Sequence, residues 1–492
     1  MAEKFFWADK IAEDIIKQKG NKAEYVCASG ITPSGKVHIG NFREVITTDL
    51  VVRALKDKGK KVRFIYSWDD YDRFRKVPVN VPGGYEKYIG MPISEFPSPF
   101  DKKKNYAKYF EDEFEKSLKG VLIEPEFVRQ NLMNKKCKYA ELIKKSLDNK
   151  GKIIKVLNKY RKEPLEESWW PIIVYCEKCM KDCTKVLGVA GYSVEYECCC
   201  GNKGNVDFRN KGLVKAVWRV DWPLRWTYEH VDFEPGGKDH SAYGGSFMTS
   251  KEIVKDVFGF EPPVYQLYEW INIKGGQQFS SSKGVATSLS DVAEIYEPGV
   301  LRFLFVGTRP NKGFQISFDD DVIKLYDDFD ALEEKYFSKD VNPQEKRIYE
   351  LSVLDVPKKK PERESFRHLV TLVQVGKVGN LSKGRAEMVK NWLEKYASED
   401  RKFEVQDKVK IKLSKDDKEL LSGVRKVLAG AKNADGLQEA LYEFAKTNGK
   451  DLKEFFKLMY GVILNKERGP RLGGLIFAIG KAKVIKLIGQ VK

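Results

Sequence analysis

Apolar positions follow two rhythms along the chain. Tyr25-Val26-Cys27-Ala28 is a contiguous apolar run, which predicts a strand buried on both faces. From Phe42 to Leu55, Val45, Ile46, Leu50, Val51 and Leu55 recur at helical spacing. Lys61 to Trp68 then predicts a second strand, so strand, helix and strand form a right-handed βαβ unit of a parallel sheet. Met1 to Gly20 mixes charges with Phe5, Phe6, Trp7, Ile11, Ile15 and Ile16, the pattern of an amphipathic helix. Residues 75–100 are rich in proline and glycine and predict an ordered loop, whereas 101–162 are dense in Lys, Glu and Leu and predict helices. Aromatic and β-branched strands return from Leu213 to about Arg309, and helical patterning runs from there to the carboxyl end. Val356-Pro357-Lys358-Lys359-Lys360-Pro361 predicts a solvated boundary, because the prolines stop helices and the lysines resist burial.

Length and charge narrow the class. A chain of 492 residues has room for two to four domains. With 42% hydrophobic and 32% charged residues it is a globular composition, and its formal net charge of +17 points to a polyanionic partner, most simply nucleic acid. No apolar run approaches the roughly 20 residues that span a bilayer, and the amino terminus lacks the apolar core of a signal peptide, so no membrane association and a cytoplasmic location are expected.

Candidate chemistry gathers at the ends of the expected strands. Ser29-Gly30-Ile31-Thr32-Pro33-Ser34-Gly35-Lys36-Val37-His38-Ile39-Gly40-Asn41 is a glycine- and serine-rich turn between the first strand and the first helix. Unpaired N–H groups and the positive dipole end of that helix favour phosphate. His38 can donate to phosphate oxygens, and Gly40 leaves the backbone open to a nucleotide. The second strand ends on Asp69-Asp70-Tyr71-Asp72, at the same sheet edge, where a carboxylate can pair with an ammonium group or cap the next turn. Gly236-Gly237-Lys238-Asp239-His240 ends a further candidate strand, and Ile273 to Gly284 carries Ser280, Ser281, Ser282 and Lys283 among glycines, a phosphate-complementary loop.

Six of the eight cysteines lie between Cys176 and Cys200, which suggests metal binding over disulfides in a chain without export signals. Cys176 and Cys179 form C-x-x-C. Cys198 and Cys200, on the same side of an extended segment, complete a tetrahedral thiolate set for zinc. Cys183 and Cys199 are left over as second or substitute ligands, and Cys27 and Cys137 are expected in the core.

His38-Ile39-Gly40-Asn41 followed by Ser280-Ser281-Ser282-Lys283-Gly284 resembles the paired nucleotide motifs of class I aminoacyl-tRNA synthetases. The chain is most similar to class I lysyl-tRNA synthetases, through Ile31 to Gly35, Ser67 to Arg73, Trp218 to Pro223, Gly237 to His240, Phe366 to Leu369 and Glu467 to Arg471. The resemblance implies an α/β, Rossmann-type parallel-sheet catalytic domain over residues 1–320, with a helical and cysteine-rich, zinc-binding insertion at about 95–212. An all-α anticodon-binding cage, possible as two subdomains, follows over 321–492.

The implied activity is ATP-dependent formation of lysyl-adenylate from L-lysine, then transfer to the terminal adenosine of tRNA(Lys), with magnesium accompanying ATP. His38, Asn41 and Lys283 are implied as catalytic. Ser34, His38, Gly40, Asn41, Asp239, His240, Ser280, Ser281, Ser282 and Lys283 are implied to hold ATP. The lysine pocket is expected to combine a carboxylate or hydroxyls with aromatic faces: Gly30, Thr32, Asp69, Asp70, Trp222 and Tyr268. Gln278-Phe279 stands where the family usually has Lys-Met, and a neutral donor binds charge more weakly than a lysine. The alternatives are a synthetase for glutamate or glutamine and a non-catalytic tRNA-binding paralogue.

Overall fold

The computed structural model describes residues 6–275 and 287–490. Five parallel strands form the principal sheet: β1 (Tyr25–Ile31), β2 (Val62–Trp68), β3 (Glu126–Arg129), β4 (Phe233–Gly237) and β5 (Val264–Tyr268). Their spatial order is β5-β4-β1-β2-β3. The chain therefore builds outward in one direction from β1, then crosses back and builds outward in the other from β4. In an open parallel sheet that reversal opens a ligand crevice at the carboxyl ends of the two central strands.

The sheet's amino end is tied shut. β1 and β4 are in register at Cys27 opposite Phe233. Just before that pair, Val26 N–H donates to the Asp232 carboxylate at 2.9 Å, and Lys22 Nζ reaches the same carboxylate at 2.8 Å. At the other end Gly30 lies opposite Ser67, where an added Cβ would stand 2.6 Å from the Ser67 carbonyl oxygen. Only glycine permits that approach.

Helix α1 (Ile39–Asp57) follows β1, as the periodicity predicts, and starts three residues earlier than Phe42. It is buried on more faces than its apolar stripe required, including Arg43, Thr47, Thr48 and Asp49. Thr47 and Thr48 donate to the Arg43 and Glu44 carbonyls one turn back, whereas the charged pair is matched from far along the chain: Arg43 donates to the Arg309 carbonyl at 2.7 Å, and Asp49 pairs with the buried Arg302 at 2.7 Å. Trp7–Lys19 is the expected amino-terminal helix. β3 is a correction: it lies inside the stretch expected to be helical. Four residues between helices are too few to show a strand period, and Glu126 and Arg129 resemble their lysine-rich surroundings.

Between β3 and β4 the chain forms a small module whose core includes Val194, Tyr196, Val206 and Phe208 and is shared with Ile253, Val257 and Phe258 beyond β4. Its sheet is antiparallel, built from Thr184–Ala190, Ser193–Cys198 and Lys203–Asp207. Helix α2 (Trp218–Glu229) then leads into β4.

Close contacts divide the chain into two units: Met1–Ala293 with Leu301–Ile316 and Val341–Val356, and Glu294–Val300 with Ser317–Asp340 and Pro357–Lys492. The long crossing from one unit to the other falls at Val356 and Pro357, within the proline–lysine boundary. The second unit is helical, with an apolar core of residues such as Leu421, Leu441, Phe455, Met459 and Leu475. Local chemistry starts its helices: Ser414 with Asp417 forms a capping box, and Asn433 and Asp451 each accept a backbone N–H of the first turn. No helix among the described residues is long and apolar enough to cross a membrane.

Candidate active site

A cleft of about 540 Å³ opens at the carboxyl ends of β1 and β4. Gly30, Thr32, His38, Gly40, Asn41, Asp69, Asp239, His240 and Tyr268 all line it, so residues expected from four separate segments meet in one place. His38 occupies the cap position of α1, where its extended backbone turns the chain into the helix. Burial pushes its imidazole down to about 4, so at neutral pH it offers an N–H dipole and no charge.

The loop expected to carry the second phosphate motif, with Gln278, Phe279, Ser280, Ser281, Ser282 and Lys283, lies outside the described residues. Its flanks are described. Trp270 and Ile271, ahead of it, line the cleft. Behind it, Thr287 accepts a hydrogen bond from Ile39 N–H at 2.8 Å, and Ser288 bridges His38.

Glu44, on the first turns of α1, was not legible in the sequence. Its buried carboxyl accepts from Gly30 N–H at 2.9 Å and from the Tyr268 hydroxyl at 2.7 Å. Burial raises it to about 8, against those two donors. Glu234 lines a smaller adjoining cavity of about 70 Å³, shared with Gly30, Glu44 and Asp69, where it accepts from Trp226 Nε1 and is raised to about 7, again by burial.

Below these lies a chain of buried charge. Arg225 binds Asp69 at 2.5 Å and approaches Asp221 at 3.4 Å. Lys215 binds Asp72 at 2.5 Å and approaches Asp221 at 3.6 Å. Asp72 also accepts from the Thr32 hydroxyl at 3.2 Å. Burial would raise Asp72, but Lys215 outweighs it and holds the carboxyl below its usual range. Three carboxylates therefore share two cations, and Glu44 and Glu234 add two more carboxyls. A cationic ligand offsets the carboxylate left over from the two cations and lowers the raised Glu44 and Glu234 into their ionised forms, so the set favours a cation.

Not every expected residue joins the site. Asp70 is buried but faces away, accepting Asn131 N–H at 2.7 Å, so it is corrected from the cleft to the β2–β3 side. Asp69 reaches the cleft already paired with Arg225. Ser34 is exposed on the turn and does not line the cleft; its carbonyl accepts from Tyr106. Trp222 is the middle ring of a ladder along α2, 5.2 Å from Trp218 and 4.9 Å from Trp226, and it is Trp218 that lines the cleft. His240 lines the cleft while its Nδ1 bonds the Ser246 hydroxyl at 2.6 Å. Arg75, on the exposed rim, was also missed and brings positive charge to the mouth.

In the cysteine module Cys176, Cys179, Cys198 and Cys200 bring their sulfurs within 4.8 Å of one another. Cys176 and Cys200 are 3.7 Å apart, and Cys179 and Cys198 are 3.6 Å apart. Those separations fit the edge of a tetrahedron whose centre lies about 2.3 Å from each sulfur, the zinc–thiolate distance. Cys183 and Cys199 are corrected: they form a disulfide and are not substitute ligands. Antiparallel pairing of Thr184 with Cys198 extends to a hydrogen bond from Cys199 N–H to the Cys183 carbonyl at 3.0 Å, which sets their Cα atoms 5.7 Å apart.

Residues 5–355 match the family model described as tRNA synthetases class I (K), and residues 364–491 match an anticodon binding domain. The chain is 45% identical to the lysine–tRNA ligase of Borrelia garinii subsp. bavariensis and 46% identical to that of Borreliella burgdorferi, each over 98% of this chain and 99% of the relative. It is 41% identical to the lysine–tRNA ligase of Pyrococcus horikoshii, over 98% of both chains.

Proposed function

The chain belongs to the class I (K) tRNA synthetases, and on that premise we propose that it is a lysine–tRNA ligase that activates L-lysine with ATP and charges tRNA(Lys). The observation that carries the substrate assignment is the cleft's surplus of buried carboxyl groups, anchored by Glu44 and the Asp69–Arg225–Asp221–Lys215–Asp72 chain. A glutamate side chain would add negative charge to that set. A lysine ammonium would offset it, lowering Glu44 and Glu234 into their ionised forms.

In activation, a lysine carboxylate oxygen bonds to the α-phosphorus of ATP, the bond to the β-phosphate oxygen breaks, and pyrophosphate leaves. The terminal adenosine hydroxyl of the tRNA then attacks the carbonyl carbon, and AMP departs. Such steps need positioning and charge stabilisation. His38, neutral and buried, donates to ATP phosphate from the start of α1, with Asn41 and the Gly40 backbone beside it. Asp239 and His240 approach the nucleotide from the end of β4. Lys283 and Ser280 to Ser282 stabilise the leaving pyrophosphate. Thr32, Tyr268 and the Gly30 backbone shape the amino-acid side, with Glu44 holding the last two. Magnesium accompanies ATP as its phosphate counter-ion. Cys176, Cys179, Cys198 and Cys200 hold a structural zinc, and the carboxyl-terminal helices read the anticodon. The enzyme works in the cytoplasm with its tRNA.

Charging assays with lysine and glutamate test the reading. Lysine attachment to tRNA(Lys) without glutamate attachment is expected. Glutamate charging, or no charging by any amino acid, overturns it. Substituting Lys283→Ala should slow charging by on the order of a hundredfold if that lysine acts on the transition state.

A further inference from the structure

Trp218 lines the cleft on one side and, on the other, a separate depression of about 330 Å³. Tyr160, Arg161, Trp169, Arg219 and Gly244 also line the second depression. Its chemistry differs from that of the cleft. Arg219 donates to the Gly244 carbonyl at 2.7 Å and the Thr249 hydroxyl at 3.3 Å, and Arg161 donates to the Glu163 carbonyl at 3.0 Å. Among the described residues, then, neither guanidinium is ion-paired with a carboxylate. Burial and the nearby charge of Arg161 both lower Arg219, so the two cations sit within range of each other.

The remaining wall combines the rings of Tyr160, Trp169 and Trp218 with the aliphatic Leu157, Leu165 and Val217. Gly244 takes a positive φ of 71°, and an added Cβ would lie 3.2 Å from Tyr160 Cβ, so glycine lets this turn press against the tyrosine. The turn presents Tyr243, 83% exposed, edge-on to Tyr160 at 5.3 Å. Packing does not account for so exposed a ring. Aromatic faces beside guanidinium groups without acidic partners suit unstacked bases and their phosphates.

We propose that this depression receives an unstacked base from the single-stranded 3′ end of the tRNA, with its phosphate on Arg161 and Arg219, and thereby aims the terminal ribose past Trp218 into the cleft. The assignment rests on the ligase reading and adds to it a site for the acceptor strand.

Binding measured by fluorescence anisotropy tests it without requiring turnover. The probes are intact tRNA(Lys) and the same tRNA trimmed of its 3′-terminal single strand. The unmodified protein should bind the trimmed form about tenfold more weakly, the scale of one lost stacking or phosphate contact. Arg161→Ala should weaken intact tRNA about tenfold and leave the trimmed form unchanged. Tyr243→Ala should do the same by about threefold. Both side chains are exposed, so folding is not at stake. Equal binding of intact and trimmed tRNA by the unmodified protein overturns the proposal. So does an equal loss for both forms in Arg161→Ala, which would make Arg161 a general phosphate contact. A weaker ATP affinity in that variant with tRNA discrimination retained would assign the depression to the nucleotide and also overturn it. Failure of the ligase reading is read separately, as absence of lysine charging by the unmodified protein.

Discussion

The cleft and the cysteine module hold their polar groups by opposite plans. The module draws its four thiols from one short stretch, Cys176 to Cys200, and needs only a hairpin to assemble them. The cleft draws its charges from across the unit: Tyr268 reaches Glu44 over 224 positions, and Arg225 reaches Asp69 over 156. A local set can form with its hairpin. A dispersed set forms only when the whole sheet is in place, so it ties the site to the fold.

The largest effect expected from that contrast is on the dispersed set. Arg225→Met leaves Asp69 and Asp221 buried without their shared cation and should cost about 3–5 kcal/mol in urea unfolding. A cost under about 1 kcal/mol would show that the chain of charge does not hold the cleft together. On the proposed zinc reading, Cys176→Ser should abolish stoichiometric zinc and raise hydrogen exchange in Thr184–Ala190 and Ser193–Cys198, while β1 and β2 keep their protection. Equal loss of protection in the sheet would erase the distinction between the two plans.

Tyr268→Phe removes one of the two donors to Glu44 and should raise the KM for lysine several-fold, the scale of a lost hydrogen bond of about 1 kcal/mol. An unchanged KM removes Tyr268 from the amino-acid side. The smallest effect is a pH dependence. Burial raises Glu44 from its ordinary 4.5 to about 8, so between those values the folded chain binds more protons than the unfolded one. Its contribution to stability is present below pH 4.5 and falls as pH rises through 8. Glu44→Gln should therefore flatten the decline in Tm between pH 5 and 9. His38 acts with the opposite sign: its contribution is present above 6.5 and lost as pH falls through about 4.

The same contrast decides what the sequence made legible. Strand β1, helix α1 and strand β2 carry their signal in adjacent residues, and all three stand where the apolar rhythm placed them. Cys176, Cys179, Cys198 and Cys200 were readable because spacing alone names them. Glu44 was not: in sequence it is one more polar residue on a helix, and only Gly30 and Tyr268 give it meaning. Asp69 and Asp70 were read as equivalent, yet the chain turns just after the strand, and Arg225 claims one while Asn131 claims the other. The Cys183–Cys199 disulfide depends on strand register, which cysteine spacing does not carry. Strand β3 is too short to display a period.

The central claim is that the buried carboxyl groups at the cleft select a cation. Charging of tRNA(Lys) with lysine and with norleucine, which keeps the linear side chain and lacks the ammonium group, tests it most directly. Saturable charging with lysine and none with norleucine at the same concentrations is the expected result; comparable charging with both would contradict it.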